Sequence, residues 1–184
     1  MIKNGFIVSH PTGNNFVRAL LEELEDQNKL IRFFTTIGVG QNARLPFKRL
    51  LERRNYKIPD SKISRIWSNE LRRLLWKGKH QSKSLWTDRS YELLDQKVAS
   101  ELIKHPIDVV HAYEDCAANS FRKAKQLGIK CSYELPIAHW RTLRRFLSEE
   151  AERYPAWEPT LESTRASEEK LFRKDEELNL ADCI

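Results

Sequence analysis

Residues 6–15 (FIVSHPTGNN) decide the fold of the N-terminal part of the chain, because they join a strand to a helix through a short polar turn. The first three residues are apolar and partly β-branched, which is typical of a buried strand. The proline ends that strand, since it cannot donate a ladder hydrogen bond, and the glycine permits the turn. Asn14 or Asn15 then caps a helix. The predicted apolar face of this helix carries Phe16, Val17, Leu20, Leu21 and Leu24.

The rest of the chain alternates strand patterns with helix patterns. Further strands are predicted at 29–39, 63–66, 107–113 and 129–135. Helices are predicted at 43–54, 68–79, from residue 87 up to Pro106, at 117–127, around 140–147 and from Ser167 through Leu178. This alternation predicts an α/β fold, a Rossmann-like parallel sheet with helices on both faces. We expect one domain over residues 1–184.

The composition is that of a globular protein. The chain has 184 residues, of which 40% are hydrophobic and 32% are charged, enough for one core. Cys116, Cys131 and Cys183 are isolated, and an odd number argues against a disulfide framework, so a reducing cytoplasm is expected. The N-terminus has no signal-peptide pattern, and no apolar stretch approaches the length of a transmembrane helix.

The net charge of +6 is unevenly distributed. Residues 44–89 hold fourteen Lys and Arg against four Asp and Glu, whereas residues 152–182 hold five against nine. A basic middle predicts a surface that meets membrane phosphate, nucleic acid or a phosphorylated substrate, or one that is simply solvated. In both predicted basic helices, 43–54 and 68–79, basic residues lie beside apolar ones. This pattern suits peripheral contact with the inner face of an anionic membrane. The candidates for that contact are Arg49, Arg53, Arg54, Arg72 and Arg73.

Polar residues follow three of the predicted strands, and the carboxyl ends of parallel strands are where such sheets bind ligands. The binding candidates are His10, Thr12, Gly13, Asn14, Asn15, His111, Tyr113, Glu114, Asp115 and Glu134. Structural alternatives remain open: His10 as a loop histidine held by neighbouring backbone, His111 as a core residue, Asp115 as a helix cap and Glu134 as an ion-pair partner. The sequence contains neither a P-loop nor a G-x-G-x-x-G fingerprint. No metal site is expected, and no catalytic residue is assigned.

The order of four segments resembles the N-terminal half of glycosyltransferase family 4 enzymes, which have the GT-B fold. The segments are HPTGNN at 10–15, DVVHAYED at 108–115, YELP at 133–136 and EEKLFRKDEELNLADCI at 168–184. The chain differs from the family in the turn, where Gly-Gly is usual, and at Tyr113, where many relatives have a second histidine. The resemblance covers nearly the whole chain.

The resemblance implies two Rossmann-like domains facing each other across a cleft. The N-terminal domain would hold a sugar or lipid-linked acceptor, and a C-terminal domain would hold the nucleotide-sugar donor. It also implies sugar transfer with retention, without a cofactor or metal, in polysaccharide, lipopolysaccharide or glycolipid synthesis. Since the second domain is absent from the 184 residues, we expect a fragment that is inactive alone.

Two other functions remain open at the sequence level. The basic middle and the tryptophans suit a nucleic-acid-binding module, although no nucleic-acid motif is present and no such partner is expected. Another enzyme of the same fold, such as a nucleotide-sugar epimerase, is the second alternative.

Overall fold

A parallel sheet of five strands forms the centre of the protein. A computed structural model describes residues 5–43, 54–66, 80–161 and 166–184. The strands are β1 (Phe6–Ser9), β2 (Leu30–Thr35), β3 (Val39–Gln41), β4 (Asn55–Pro59), β5 (Ile63–Arg65), β6 (Val109–Tyr113) and β7 (Lys130–Glu134). The α-helices are α1 (Asn15–Asp26), α2 (His80–Glu101), α3 (Ala118–Leu127), α4 (Trp140–Arg153) and α5 (Glu168–Leu180), and short 3-10 helices span Asp60–Lys62 and Pro155–Thr160.

The strand order in the large sheet is β5-β2-β1-β6-β7, and all four pairings are parallel. From the central β1, the chain moves outward to β2 and β5 on one side and later to β6 and β7 on the other. The order therefore reverses between β1 and β6. In open α/β sheets, ligands bind beyond the carboxyl ends of the strands at such a reversal.

Helices cover both faces of the sheet, so the predicted Rossmann-like α/β fold is confirmed. Successive residues of β1 face opposite sides, as the strand period requires. Ile7 belongs to a buried cluster with residues of α2 and α3, such as Leu94 and Phe121. Val8 belongs to a second cluster with residues of α1, including Leu21. The burial of both faces explains why the strand contains no polar alternation.

Several predicted elements differ from the structure. The strand predicted at 29–39 divides into β2 and β3, and β3 pairs with β4 in a separate two-stranded sheet that the sequence analysis missed. The helix predicted from residue 87 begins at His80. The predicted face of α1 is wrong at Phe16, which is 82% exposed, while Val17, Leu21 and Leu24 are buried.

The two predicted basic helices, 43–54 and 68–79, fall outside the described residues except for Ala43 and Arg54. The membrane candidates Arg49, Arg53, Arg72 and Arg73 lie outside them as well. Arg54 is described, and its guanidinium donates a hydrogen bond to the backbone carbonyl of Thr12. Within the described ranges, no helix has both the length and the apolar composition needed to cross a membrane.

Candidate functional site

Three strand ends meet at the carboxyl edge of the sheet, as the sequence predicts. His10 directly follows β1, Tyr113 ends β6, and Glu134 ends β7. Tyr113 and Glu134 are register partners. The rings of His10 and Tyr113 pack together with their centroids 4.2 Å apart. The fold thus collects a histidine, a tyrosine and a carboxylate at the point where the strand order reverses.

The turn after β1 fixes the proton of His10 on one ring nitrogen. The Nδ1 atom accepts hydrogen bonds from the backbone N–H groups of Thr12, at 3.2 Å, and Gly13, at 2.8 Å. Because a neutral imidazole has one acceptor nitrogen and one N–H, the proton must lie on Nε2. His10 is therefore a hydrogen-bond donor toward the rest of the site.

His10 is neutral at physiological pH. Its residue is 1% exposed, and burial lowers its pKa to about 4, against the opposing attraction of the Glu134 carboxylate. Its Nε2 atom is buried, has no hydrogen-bond partner among the described residues, and lies 3.9 Å from Oε1 of Glu134. A buried N–H without a partner costs about 1–3 kcal/mol, so this position calls for an explanation.

Glu134 is surrounded by donors. Asn14 Nδ2 donates to its Oε1 at 2.7 Å, and Nε2 of His111 faces its Oε2 at 3.5 Å. Burial acts to raise the pKa of Glu134, but the hydrogen bonds from His111 and Asn14 outweigh it and hold the pKa below its ordinary value. The carboxylate is thus ionised, and both histidine contacts to it are longer than an ordinary hydrogen bond of 2.7–3.2 Å.

The same turn that fixes His10 also begins α1. Asn14 Oδ1 accepts from the backbone N–H of Val17 at 2.8 Å, so the predicted asparagine cap is confirmed. Gly13 has φ +69°, a left-handed conformation, and a Cβ atom there would stand 2.0 Å from the hydroxyl oxygen of Tyr56. Glycine is needed at this position for both its conformation and its size.

A groove of about 610 Å³ opens beside these residues, between the start of α1 and the end of β7. We call it the edge groove. Its polar lining residues are Asn14, Asn15, His111 and Glu134, and its apolar ones are Phe16, Val17, Leu20, Leu135 and Pro136. Pockets of this size with a few polar groups are typical of small-molecule sites.

Two of the predicted binding residues point to other partners. The carboxylate of Glu114 pairs with Lys174 at 2.5 Å. Asp115, at φ +71°, pairs with Lys170 at 3.2 Å and with Lys174 at 3.4 Å. These contacts join the loop after β6 to α5. The predicted alternative that Asp115 caps α3 is wrong, since Ala117 occupies the cap position.

The remaining binding candidates lie near the carboxyl edge of the sheet. Asn15 lines the edge groove and accepts a hydrogen bond from Arg18 at 3.2 Å. Thr12 contributes its backbone, which joins His10 and Arg54. Nδ1 of His111 lies 2.9 Å from the hydroxyl of Ser132, so this histidine has polar partners on both ring nitrogens.

Two buried carboxylates that stabilise the loop after β6 escaped the sequence analysis. Asp95 accepts from the backbone N–H groups of Asn119 at 2.6 Å and Ser120 at 2.9 Å, so α2 supplies the cap of α3. Glu177 accepts from the backbone N–H groups of Asp115 and Ala117 and from the hydroxyl of Tyr133. Each carboxylate lies on the buried face of its helix. A charged residue on the apolar face of a helical pattern was the sequence signal that could have identified them.

In the described parts of the chain, no group of three or more His, Cys, Asp and Glu side chains is placed to hold a metal ion. The edge groove has one carboxylate and one imidazole in its lining, and its chemistry is that of hydrogen bonding.

No protein-family model matches the chain, and no curated protein matches it. Among solved structures, the chain is similar to a UDP-glucosyltransferase from Polygonum tinctorium, described as capable of glucosylating indoxyl and in complex with 3,4-dichloroaniline. The identity is 15% and the TM-score 0.35, over 81% of this chain and 33% of that one. The chain thus spans about a third of that enzyme's length, and a similarity at this level concerns the fold alone.

Proposed function

We propose that this chain is the acceptor-side domain of a nucleotide-sugar-dependent glycosyltransferase of the family 4 type. The support comes from the order of the four sequence segments that resemble that family and from the polar site at the reversal of strand order. In this proposal, a second domain holds the nucleotide-sugar, and the sugar is transferred with retention to an acceptor hydroxyl bound at the edge groove. Polysaccharide, lipopolysaccharide or glycolipid synthesis is the proposed setting.

The observation that carries the proposal is the buried Nε2–H of His10, which has no hydrogen-bond partner among the described residues and lies 3.9 Å from Oε1 of Glu134. A hydroxyl group both donates and accepts, so one hydroxyl can accept from His10 and donate to Glu134. The two atoms are 3.9 Å apart, and in this proposal the side chains around the buried Nε2 move to admit an oxygen atom roughly 2.8 Å from both. A sugar hydroxyl would therefore complete the hydrogen bonding that the protein leaves open.

In this arrangement His10 and Glu134 orient the acceptor. His10 cannot act as the base, because its Nδ1 is occupied by two backbone N–H groups and its Nε2 carries the proton. Glu134 is the group that can receive a hydrogen bond from the attacking hydroxyl, and Asn14 and His111 hold the carboxylate in place. Fixing the orientation of a nucleophile in this way lowers the entropic part of the barrier.

A ligand-observed NMR titration tests the proposal with a fixed panel: methyl β-D-glucoside, methyl β-D-galactoside and methyl α-D-mannoside. We expect at least one of them to bind, and His10→Asn and Glu134→Gln to weaken that binding at least fivefold. Asparagine retains an acceptor for the turn but lacks the donor that faces Glu134.

His105→Asn is the matched control. His105 lies beyond α2 and pairs loosely with Glu101 at 3.9 Å, away from the edge groove. Its substitution should leave the affinity unchanged. The proposal fails if no glycoside of the panel binds the folded chain, or if His10→Asn and His105→Asn bind the preferred glycoside equally well.

A further inference from the structure

The lining of the edge groove is chemically mixed. We call its residues Asn14, His111 and Glu134 the polar end, and Phe16, Leu20 and Leu135 the apolar wall. The polar end accounts for a hydroxylated ligand, but it does not account for the apolar wall. A small sugar with a methyl aglycone would leave most of that wall in contact with water.

Phe16 contributes nothing to the core of the protein. Its side chain is 82% exposed, whereas Val17, Leu21 and Leu24 bury the opposite side of α1 against the sheet. A single exposed aromatic residue is ordinary on a protein surface. Here, however, it lines the same groove as the half-buried Leu20 and Leu135 and the polar side chains of Asn14, His111 and Glu134.

From this juxtaposition we infer that the edge groove binds an amphiphilic acceptor, an uncharged hydroxylated head group joined to an alkyl or aryl group. The head group occupies the polar end at the Glu134 carboxylate, whose Oε1 lies 3.9 Å from the buried Nε2 of His10. The apolar group lies along Phe16, Leu20 and Leu135. The inference rests on the proposed function and names the class of acceptor.

The charge of the lining favours an uncharged head group over an anionic one. Glu134 supplies an ionised carboxylate to the polar end, and the described residues that line the edge groove include neither lysine nor arginine. Arg18 and Arg54 act on the nearby His10, but they donate hydrogen bonds to Asn15 and to the backbone of Thr12. A phosphate placed next to Glu134 would be repelled without a compensating cation. An alkyl or aryl glycoside, or a hydroxylated aromatic compound, avoids that repulsion.

The length of the apolar group provides the test. The best-binding methyl glycoside of the panel is compared with the octyl glycoside of the same sugar. This is octyl β-D-glucoside, octyl β-D-galactoside or octyl α-D-mannoside. Each octyl glycoside is used below the concentration at which it forms micelles. Burying one methylene improves affinity roughly fourfold. Because the groove is open and covers only part of the chain, we expect the octyl glycoside to bind at least tenfold more tightly.

Phe16→Ser and Phe172→Ser form a matched pair of variants. Both phenylalanines are highly exposed, at 82% and 72%, so neither substitution should disturb folding, but Phe172 lies on α5 outside the groove lining. Phe16→Ser should weaken octyl glycoside binding at least fivefold and should weaken it more than it weakens methyl glycoside binding. Phe172→Ser should leave both unchanged.

The outcomes separate this inference from the proposed function. Equal affinities for the methyl and octyl glycosides would overturn the amphiphilic acceptor while leaving a sugar-binding site in place. If 1-octanol binds as tightly as the octyl glycoside, the apolar wall binds alone and the proposed recognition of hydroxyl groups is wrong. Equal loss of octyl glycoside binding in the two serine variants would also overturn the role of Phe16.

Discussion

Two backbone N–H groups, those of Thr12 and Gly13, fix the proton of His10 on Nε2 and so give the site its donor. The position of this proton depends on the tight turn after β1. In that turn Gly13 has φ +69°, and the hydroxyl of Tyr56 occupies the space that a side chain would need. At the scale of single residues, Gly13 and His10 act together, because Gly13 allows the turn that orients His10.

Substituting Gly13 tests this dependence. Gly13→Ala should lower the free energy of unfolding by about 2–4 kcal/mol, because alanine is strained at this φ and its Cβ would collide with Tyr56. Gly128→Ala is the control, since it shares a φ of +71° but has open space around its Cβ, and should cost only about 1 kcal/mol. Urea denaturation measures both, and equal losses would contradict a steric role of Tyr56.

The pH dependence of stability tests the neutral state of His10. Its pKa in the folded protein is about 4, below the ordinary 6.5, so the folded state binds fewer protons than the unfolded state between these values. The contribution of His10 to the free energy of unfolding is therefore present above pH 6.5 and is lost as the pH falls from 6.5 toward 4. From pH 7 to pH 5, wild type should lose about 2 kcal/mol relative to His10→Asn, measured by urea denaturation at both pH values. An unchanged difference between the two proteins would show that His10 is not buried as a neutral imidazole.

At the scale of elements, α5 is joined to the loop after β6 by Glu177. This carboxylate is fully buried and holds the backbone N–H groups of Asp115 and Ala117, and the hydroxyl of Tyr133 on β7 donates to it as well. Lys170 and Lys174 of α5 add ion pairs to Asp115. The helix thereby stabilises the segment that follows Tyr113, whose ring packs against His10.

Glu177 should oppose His10 in the pH dependence. Burial raises the pKa of Glu177 to about 7, so its contribution to stability is fully present below pH 4.5 and is lost as the pH rises through 7. Raising the pH from 5 to 8 should destabilise wild type by about 2 kcal/mol relative to Glu177→Gln. Thermal unfolding of both proteins at the two pH values provides the measurement, and parallel changes would mean that Glu177 titrates as an ordinary exposed carboxylate.

Elements with a strong apolar pattern were predictable from the sequence, and those fixed by distant contacts were not. β6 and β7 follow from short apolar runs, and α3 ends at Gly128 as its sequence indicates. β3 is only three residues long and pairs with β4, more than ten residues away, so no local signal defines it. Phe16 matches the helical period of α1, yet it lies in the first turn of that helix and is 82% exposed, and only the packing reveals this exposure.

The candidate site was predictable to the same extent. The strand ends that carry His10, Tyr113 and Glu134 could be grouped, because parallel strands end at one edge. The tautomer of His10, the diversion of Glu114 toward Lys174 and the apolar wall of the groove could not be predicted, because they depend on distances between residues far apart in sequence.

At the scale of the whole molecule, the reversal of strand order between β1 and β6 places His10, Tyr113 and Glu134 at one edge of the sheet. If the chain is the acceptor-side domain, the nucleotide-sugar belongs to another domain. We therefore expect the 184-residue chain to transfer no sugar from UDP-, ADP- or GDP-linked donors to the glycosides of the panel, as checked by release of the nucleoside diphosphate. Turnover by the purified chain would contradict the division of the two substrates between two domains.

The most direct test of the central claim is a protein-observed NMR titration of the ¹⁵N-labelled chain with the preferred methyl glycoside. The claim is that a sugar hydroxyl occupies the space between His10 Nε2 and the Glu134 carboxylate. We predict saturable shifts of the Thr12 and Gly13 amides, which donate to the same imidazole, and of the Asn14 side-chain amide, which donates to Glu134. Saturable shifts confined to residues away from the carboxyl edge of the sheet, with these three signals unmoved, would contradict the claim.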